Sequence, residues 1–402
     1  MLGLVLTAGG ARGAYQAGVL KRIAELPSLR RRPQPFEIIA GASAGAINGA
    51  ILGARSESFG DAADEVARVW SELSVARVFR TDLPALALGG ASLVRDFTLG
   101  SVFGWTGTYG LLDTSPLASL LEAALPPNGI RGAIERGEVY AVAVSATSYH
   151  SGRSYTFVQG RQGHAIWSKS RRVVLPVTLT HQHILASGAI PIVFPPVRLD
   201  SGSGELWFGD GGMRLVAPLS PAIRLGATRL LAIGVRSARA ADELARHEVA
   251  ADHPLPCPPL AQVCGVFLNA IFLDHLDTDL DHLRRMNELV AAHAGNGAAE
   301  PMRRITPLVI SPSEDLALVA QRFAHRMPRL LRFVLDGLGT PDASSADLMS
   351  YLLFDSAYTS TLVDIGYRDA EARICEIEAL VSAQIDGQIL GSPEEAQLLP
   401  PD

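Results

Sequence analysis

Three sets of residues in this 402-residue chain have types and settings that fit chemistry: Ser43, Asp210, and the glycines at positions 9, 10 and 13. Ser43 stands in Gly41-Ala42-Ser43-Ala44-Gly45, with glycine two positions away on either side. Before it, Phe36-Glu37-Ile38-Ile39-Ala40 is a short apolar run that reads as a buried strand, and after it Ala44 to Leu52 reads as a helix of small residues. A serine between strand and helix with this flanking is a nucleophile elbow. The turn excludes bulky neighbours, and free N–H groups at the helix N-terminus favour negative charge developing there.

The elements that must position this serine begin at the N-terminus. Leu2 to Leu6 reads as a first buried strand. Thr7-Ala8-Gly9-Gly10-Ala11-Arg12-Gly13 follows, then a helix through Tyr15, Val19, Leu20 and Ile23. A glycine-rich turn in that setting exposes backbone N–H groups that hold an anion. The dinucleotide spacing G-x-G-x-x-G is absent, and so is the Gly-Lys-Ser or Gly-Lys-Thr of a phosphate loop. An oxyanion hole fits, with N–H groups near Gly10 and Ala11 aimed at a tetrahedral intermediate. Arg12 reads as a surface charge or, in that functional setting, as a residue that fixes the loop or meets a phosphate or carboxylate. Much later, the short strand Leu206-Trp207-Phe208 runs into Asp210-Gly211-Gly212, which leaves a carboxylate on a sharply turned loop. Alone, such a triplet is ordinary chain reversal.

In this order the three elements resemble the patatin-like phospholipase family. Its signature is a glycine-rich loop with Arg or Lys, then G-x-S-x-G, then D-G-G or D-G-A. The likeness takes in Leu112-Asp113-Thr114-Ser115-Pro116-Leu117, Ala186-Ser187-Gly188-Ala189-Ile190-Pro191, Phe194-Pro195-Pro196 and Pro218-Leu219-Ser220-Pro221, and covers residues 2 to about 235. Ala8 departs from it, standing where the family usually has a first glycine. The resemblance implies a Ser–Asp dyad, with Ser43 as nucleophile and Asp210 as direct base. It implies oxyanion donors from Gly9, Gly10, Ala11, Arg12 and Gly13, elbow glycines Gly41 and Gly45, and Gly211 and Gly212 in the turn beside the base. The implied reaction is hydrolysis of fatty-acyl esters of phospholipid or lysophospholipid through an acyl-enzyme, with no cofactor and no metal. None of the ten histidines sits in a recognisable triad context.

Strands and helices alternate through residues 2–235, which reads as an α/β fold. With the resemblance, the expectation is three layers around a central, mainly parallel sheet, plus a C-terminal helical region. The expected organisation is a catalytic core over 1–240, a helical insertion over 241–303, a last core strand and helix over 304–330, and a helical extension and tail over 331–402. Within this, Asp61–Leu73 and Thr114–Leu125 read as helices, the second capped by Asp113 or Thr114. Glu138–Val144 and Ser154–Val158 read as strands around a polar turn, and Arg229–Val235 and Ile305–Ile310 as further strands. Ser237–Pro259 reads as a linker or surface loop. Gln262–Leu289 reads as helical, with Leu273, Leu276, Leu280 and Leu283 spaced for one buried face. Leu316–Phe323, Leu330–Leu338, Ala346–Phe354 and Asp369–Ile385 complete the helices. Val78–Gly110, apolar and low in charge, reads equally as buried packing or as a flap touching membrane. His275, Asp279 and His282 share a helix face but lack a fourth ligand, and His181-x-His183 has the same weakness.

Hydrophobic residues at 48% and charged residues at 19% describe a globular chain with a large core. A net charge of −6 supplies no basic field for nucleic acid. Arg30-Arg31-Arg32 and Arg171-Arg172 read as solvated loop charges, with anionic lipid heads as the alternative. Cys257, Cys264 and Cys375 have no metal or disulfide spacing and read as reduced, buried or inert thiols. No signal peptide and no membrane-length apolar stretch is visible, so the expected location is cytoplasmic, at most peripheral to a membrane. Oligomeric state is not encoded in any motif. Two other functions use the same residues. An acyltransferase would pass the acyl group to an alcohol or thiol. Malonyl-transfer enzymes of this kind place a histidine beside the serine, where this chain has Ala42 and Ala44. A silent scaffold would bind lipid or a partner through the helical extension, against which the intact Ser43, Asp210 and glycine loop argue.

Overall fold

Leu4 and Leu6 turn to one side of the first strand and Val5 to the other, and both sides are buried. The pattern repeats as Ile39 against Ile38 and Ala40, and as Leu231 and Ile233 against Leu230 and Ala232. A sheet buried on both faces must be the middle of three layers. The structure, a computed structural model, describes residues 1–80, 110, 112–169, 171–237, 260–272, 275–292, 303–328, 332 and 346–390.

The strands are β1 (Leu2–Leu6), β2 (Ile38–Ala42), β3 (Ala141–Ser148), β4 (Ser154–Gly160), β5 (Ser168–Lys169), β6 (Arg172–Pro176), β7 (Val197–Asp200), β8 (Glu205–Gly209), β9 (Arg229–Ile233) and β10 (Thr306–Ile310). They form one sheet in the order β10-β9-β1-β2-β3-β4-β6-β5, with β8 also paired to β3 and β7 to β8. The five strands from β10 to β3 are parallel. The polar turn after Thr147 joins the antiparallel pair β3–β4. Strand Ile305–Ile310 returns to the sheet beside β9, as expected.

Helices α1 (Ala14–Ala24), α2 (Ala44–Ala54) and α3 (Phe59–Ser71) pack in the larger core. The opposite layer includes helix His275–Ala292, whose Leu276, Leu280 and Leu283 are buried. Asp279 on that helix accepts the Leu219 N–H at 2.9 Å, so its carboxylate serves a turn.

The structure corrects several expectations. Strand β3 starts at Ala141, because the N–H groups of Glu138 and Val139 still bond Ala133 O at the end of a preceding helix. The helix expected over Asp369–Ile385 is two helices, Ser356–Ala372 and Ile374–Leu390, broken at Arg373. The first begins thirteen residues before the expected start, and Asp355 accepts the Ala357 N–H at its head. The stretch expected to be helical over Gln262–Leu289 is so in its described residues, as Leu260–Phe272 and His275–Ala292. Cys375 is a free, exposed thiol rather than a buried one. Leu273, Leu330–Leu338 apart from Arg332, most of Val78–Gly110, nearly all of Ser237–Pro259 and the C-terminal tail lie outside the described residues.

Candidate active site

Strand β3 brings the two halves of the site together. Ala42 pairs with Ser145, so Ser43 leaves the sheet beside that residue. Gly209 pairs with Thr147 two residues further along the same strand, so Asp210 leaves β8 next to Ser43. A separation of 167 residues in the chain becomes a step across one strand.

Ser43 is buried, with φ 54° and ψ −124°. A non-glycine residue held there stores about 1–3 kcal/mol of strain, which its surroundings must impose. Gly41 and Gly45 impose it by close approach. A Cβ on Gly41 would sit 2.3 Å from Gly45 O, and one on Gly45 would sit 2.2 Å from Leu6 O. The Ser187 hydroxyl completes the frame. It accepts the Ser43 N–H at 2.9 Å and donates to Ser145 O at 2.6 Å.

Asp210 is fully buried. Its Oδ1 accepts the Gly212 N–H at 2.8 Å, and its Oδ2 meets no donor in hydrogen-bonding geometry. Its backbone is fixed at both ends, N–H to Ala189 O at 2.9 Å and C=O to the Thr147 hydroxyl at 2.8 Å. Burial pushes the carboxyl up to about 7, a rise that the adjacent Ser43 hydroxyl and the Gly212 N–H only partly offset. Ser43 therefore lies close enough to favour the charged carboxylate, without a formed hydrogen bond between them. A buried carboxylate with one free oxygen and a pKa near neutrality is equipped to take a proton from an adjacent hydroxyl. Among the described residues no histidine hydrogen-bonds to either group.

The glycine loop faces Ser43 from β1. Residues Gly10–Gly13 form a short 3-10 turn, with the Arg12 N–H bonded to Gly9 O. The leading N–H groups of such a turn have no acceptor within it. Gly10 and Ser43 line one pocket, whose walls include Ile47, Trp70, Leu117, Leu121 and Phe194 and are apolar. Gly13 backs onto Ala44 so closely that a Cβ would lie 2.4 Å from the Ala44 Cβ, which couples the loop to the elbow helix.

A family model for patatin-like phospholipases matches residues 4–223, which hold the glycine loop, the elbow and the Asp-Gly-Gly turn. The chain belongs to the patatin-like phospholipase family. No curated protein matches the chain. Among solved structures it is similar to VipD from Legionella pneumophila, at 12% identity over 90% of this chain and 66% of that one, with a TM-score of 0.32. It is also similar to human GIVD cytosolic phospholipase A2, at 11% identity over 96% and 60% of the two chains, with a TM-score of 0.43. The chain thus spans less than two thirds of the length of these neighbours.

In this patatin-like chain Arg12 is not an open anion site. Its guanidinium is buried, donates to Ser350 Oγ at 2.7 Å and Asp347 Oδ1 at 2.8 Å, and lies 4.6 Å from the centre of the Tyr351 ring. All three partners are on helix Ala346–Leu352, beyond the matched segment. Of the expectations that Arg12 fixes the loop or meets a phosphate or carboxylate, the structure shows a carboxylate partner, that of Asp347. The supporting residues Thr147, Ser350, Asp347 and Tyr351 carried no local signal. Ser187 lies in a stretch that resembles the family, but its role as a bridge appears only in three dimensions. A second buried network was equally silent: Asn48 donates to Gly13 O and Gln16 Oε1 and accepts from Trp70 Nε1, tying α2 to the loop, α1 and α3. The described residues include no group of three His, Cys, Asp or Glu side chains placed to hold a metal ion, and no helix long and apolar enough to cross a membrane.

Proposed function

We propose that the chain is a serine lipid acyl hydrolase that cleaves fatty-acyl esters of phospholipids or lysophospholipids through a Ser43–Asp210 dyad. The observation that carries this reading is a strained, buried serine on the same side of β3 as a fully buried carboxylate whose Oδ2 has no partner and whose pKa stands near 7. The apolar pocket beside Ser43 suits an acyl chain, and family membership points to the same substrate class.

In the first step Asp210 Oδ2 takes the Ser43 proton as Oγ attacks the ester carbonyl carbon. Negative charge gathers on the carbonyl oxygen, where the N–H groups of Gly10 and Ala11 receive it. Collapse of the intermediate breaks the carbon–oxygen bond to the glycerol side, and the proton on Asp210 passes to the departing alkoxide. Water then attacks the Ser43 ester, Asp210 accepts its proton, and fatty acid is released as Ser43 recovers its hydrogen. Catalytic hydrogen bonds that are open in the free enzyme tighten in the substrate complex, so the unformed Ser43–Asp210 bond is compatible with this role.

Lipid mass spectrometry after incubation with mixed membrane lipids tests the proposal. Wild type should release free fatty acid and Ser43→Ala should release none. Equal release by the two proteins overturns it. Added acceptor alcohol separates hydrolysis from transfer: an acyl ester of that alcohol, in place of free acid, assigns the acyltransferase reading.

A further inference from the structure

The helix Ala346–Leu352 touches the glycine loop at more points than any capping role requires. Arg12 reaches Ser350 and Asp347 with two different nitrogens and stacks on Tyr351. Gly10, at φ +56°, lies against the backbone of the same helix, where a Cβ would be 2.5 Å from Tyr351 O. The helix is in turn secured from outside. The Tyr351 hydroxyl donates to Asn269 Oδ1 at 3.1 Å, and the Phe272 and Tyr351 rings are 5.9 Å apart. Ser350 is fully buried, whereas the Asp347 side chain is 35% exposed.

A loop whose N–H groups must point at a developing oxyanion has to be held within a fraction of an ångström. The loop's own chain supplies little toward this. It has three glycines in five residues, and one of them is in a left-handed conformation. The guanidinium is planar and presents donors in a fixed fork, so two acceptors and a ring face together determine both its position and its plane.

We propose that Ser350, Asp347 and Tyr351 are positioning residues for the oxyanion loop, acting through Arg12 and Gly10, so that the C-terminal helical region completes the active site. This rests on the hydrolase reading above for its effect on turnover. Its effect on the loop itself is independent of that reading.

The test compares full-length Ser350→Ala/Asp347→Asn with wild type and with Glu371→Gln. The last removes a different link between the C-terminal helices and the core, the ion pair of Arg22 with Glu371, away from the loop. Ester turnover, melting temperature and amide hydrogen exchange of residues 9–13 and 43–47 are measured on all three. In the double variant kcat should fall roughly 10- to 100-fold, the scale of weakened oxyanion donation, with KM within about twofold of wild type. Exchange should quicken in residues 9–13 and not in 43–47, while Glu371→Gln matches wild type in kcat and in exchange. Unchanged kcat in the double variant overturns the proposal, as does a loss of kcat without faster exchange in the loop. A parallel worsening of KM and melting temperature, with exchange rising throughout, also overturns it and assigns a purely structural role. If wild type has no ester turnover, the hydrolase reading fails, and exchange in residues 9–13 alone decides: unchanged exchange overturns the clamp and selectively faster exchange upholds it.

Discussion

The two halves of the site are held in different ways. Ser43 and Asp210 are fixed by the sheet. β3 sets their spacing by register, Ser187 bridges Ser43 to Ser145, and Thr147 and Ala189 hold the backbone of Asp210. All of these lie within residues 4–223, the segment matched by the family. The glycine loop is held at its far end by Asn48 and Ala44, and over Gly10 and Arg12 by a helix more than three hundred residues away in sequence. One half is over-determined by many modest contacts. The other depends on a few strong, charge-assisted ones. Single substitutions should therefore act weakly on the first half, unless they alter the reacting groups themselves.

The largest effect should come from such a group. Asp210→Asn removes the proposed base and should lower kcat by about a thousandfold or more, the scale seen when one member of a catalytic unit is lost. The same change should stabilise the fold. A carboxyl whose folded pKa is raised above its ordinary 3.8 to about 7 contributes stability that is fully present below about pH 4 and is lost as pH climbs through 7. At pH 8 wild type therefore bears the cost of a buried charge, on the order of 4 kcal/mol, that the asparagine variant does not. Thermal melts at pH 8 should place Asp210→Asn above wild type, and the gap should narrow by pH 5. A lower melting temperature at pH 8 would mean that the carboxylate is favourably partnered, against the open Oδ2.

The pH profile sharpens the same half. In the proposed dyad Asp210 must be ionised, so kcat/KM should fall tenfold per pH unit below about 7 and lie roughly 100-fold down at pH 5. A limb near pH 4 instead would describe a solvated carboxylate and break the argument from burial. Ser187→Ala should be milder. It strands the Ser43 N–H and Ser145 O in a buried setting, costing about 1–3 kcal/mol in folding stability. Urea melts and kcat should fall together, because the stranded N–H belongs to Ser43, the proposed nucleophile.

The comparison also marks what was legible in the chain. The elbow, the loop and the Asp-Gly-Gly turn announce themselves because each is a local backbone problem that only small residues solve. The close approaches at Gly41, Gly45 and Gly10 are the structural form of that signal. The supports are illegible because each joins residues far apart: Ser43 to Ser187 across 144 positions, Asp210 to Thr147 across 63, and Arg12 to Ser350 across 338. Serines and threonines with no pattern around them look like solvent-facing side chains until the sheet register is known. The misplaced start of helix Ser356–Ala372 has a related cause. Gly366 and several β-branched residues lower its intrinsic helix propensity. The packing that overrides propensity is visible only in three dimensions. A Cβ on Gly366 would meet Tyr15 O at 2.1 Å, and one on Gly18 would meet Val363 O at 1.9 Å, so two backbones cross in near contact. The early cap at Asp355 was available as a signal and is the one that would have found it.

The smallest effect tests over-determination directly. Thr147→Val removes the hydroxyl that donates to Asp210 O and keeps the shape of a β-branched strand residue. The carbonyl it abandons is buried, so the melting temperature should drop by an amount equivalent to about 1–2 kcal/mol. Activity should change far less, by about threefold or under, because three other restraints survive. The Asp210 N–H still bonds Ala189 O, its Oδ1 still accepts from Gly212, and Gly209 still pairs with residue 147 through the backbone ladder. Carboxylate placement then persists while stability declines, which separates folding energy from catalytic geometry in this half of the site. A loss of kcat from Thr147→Val as large as that from Ser350→Ala/Asp347→Asn would show that the sheet-held half is no more redundant than the loop, and the contrast between them would fail.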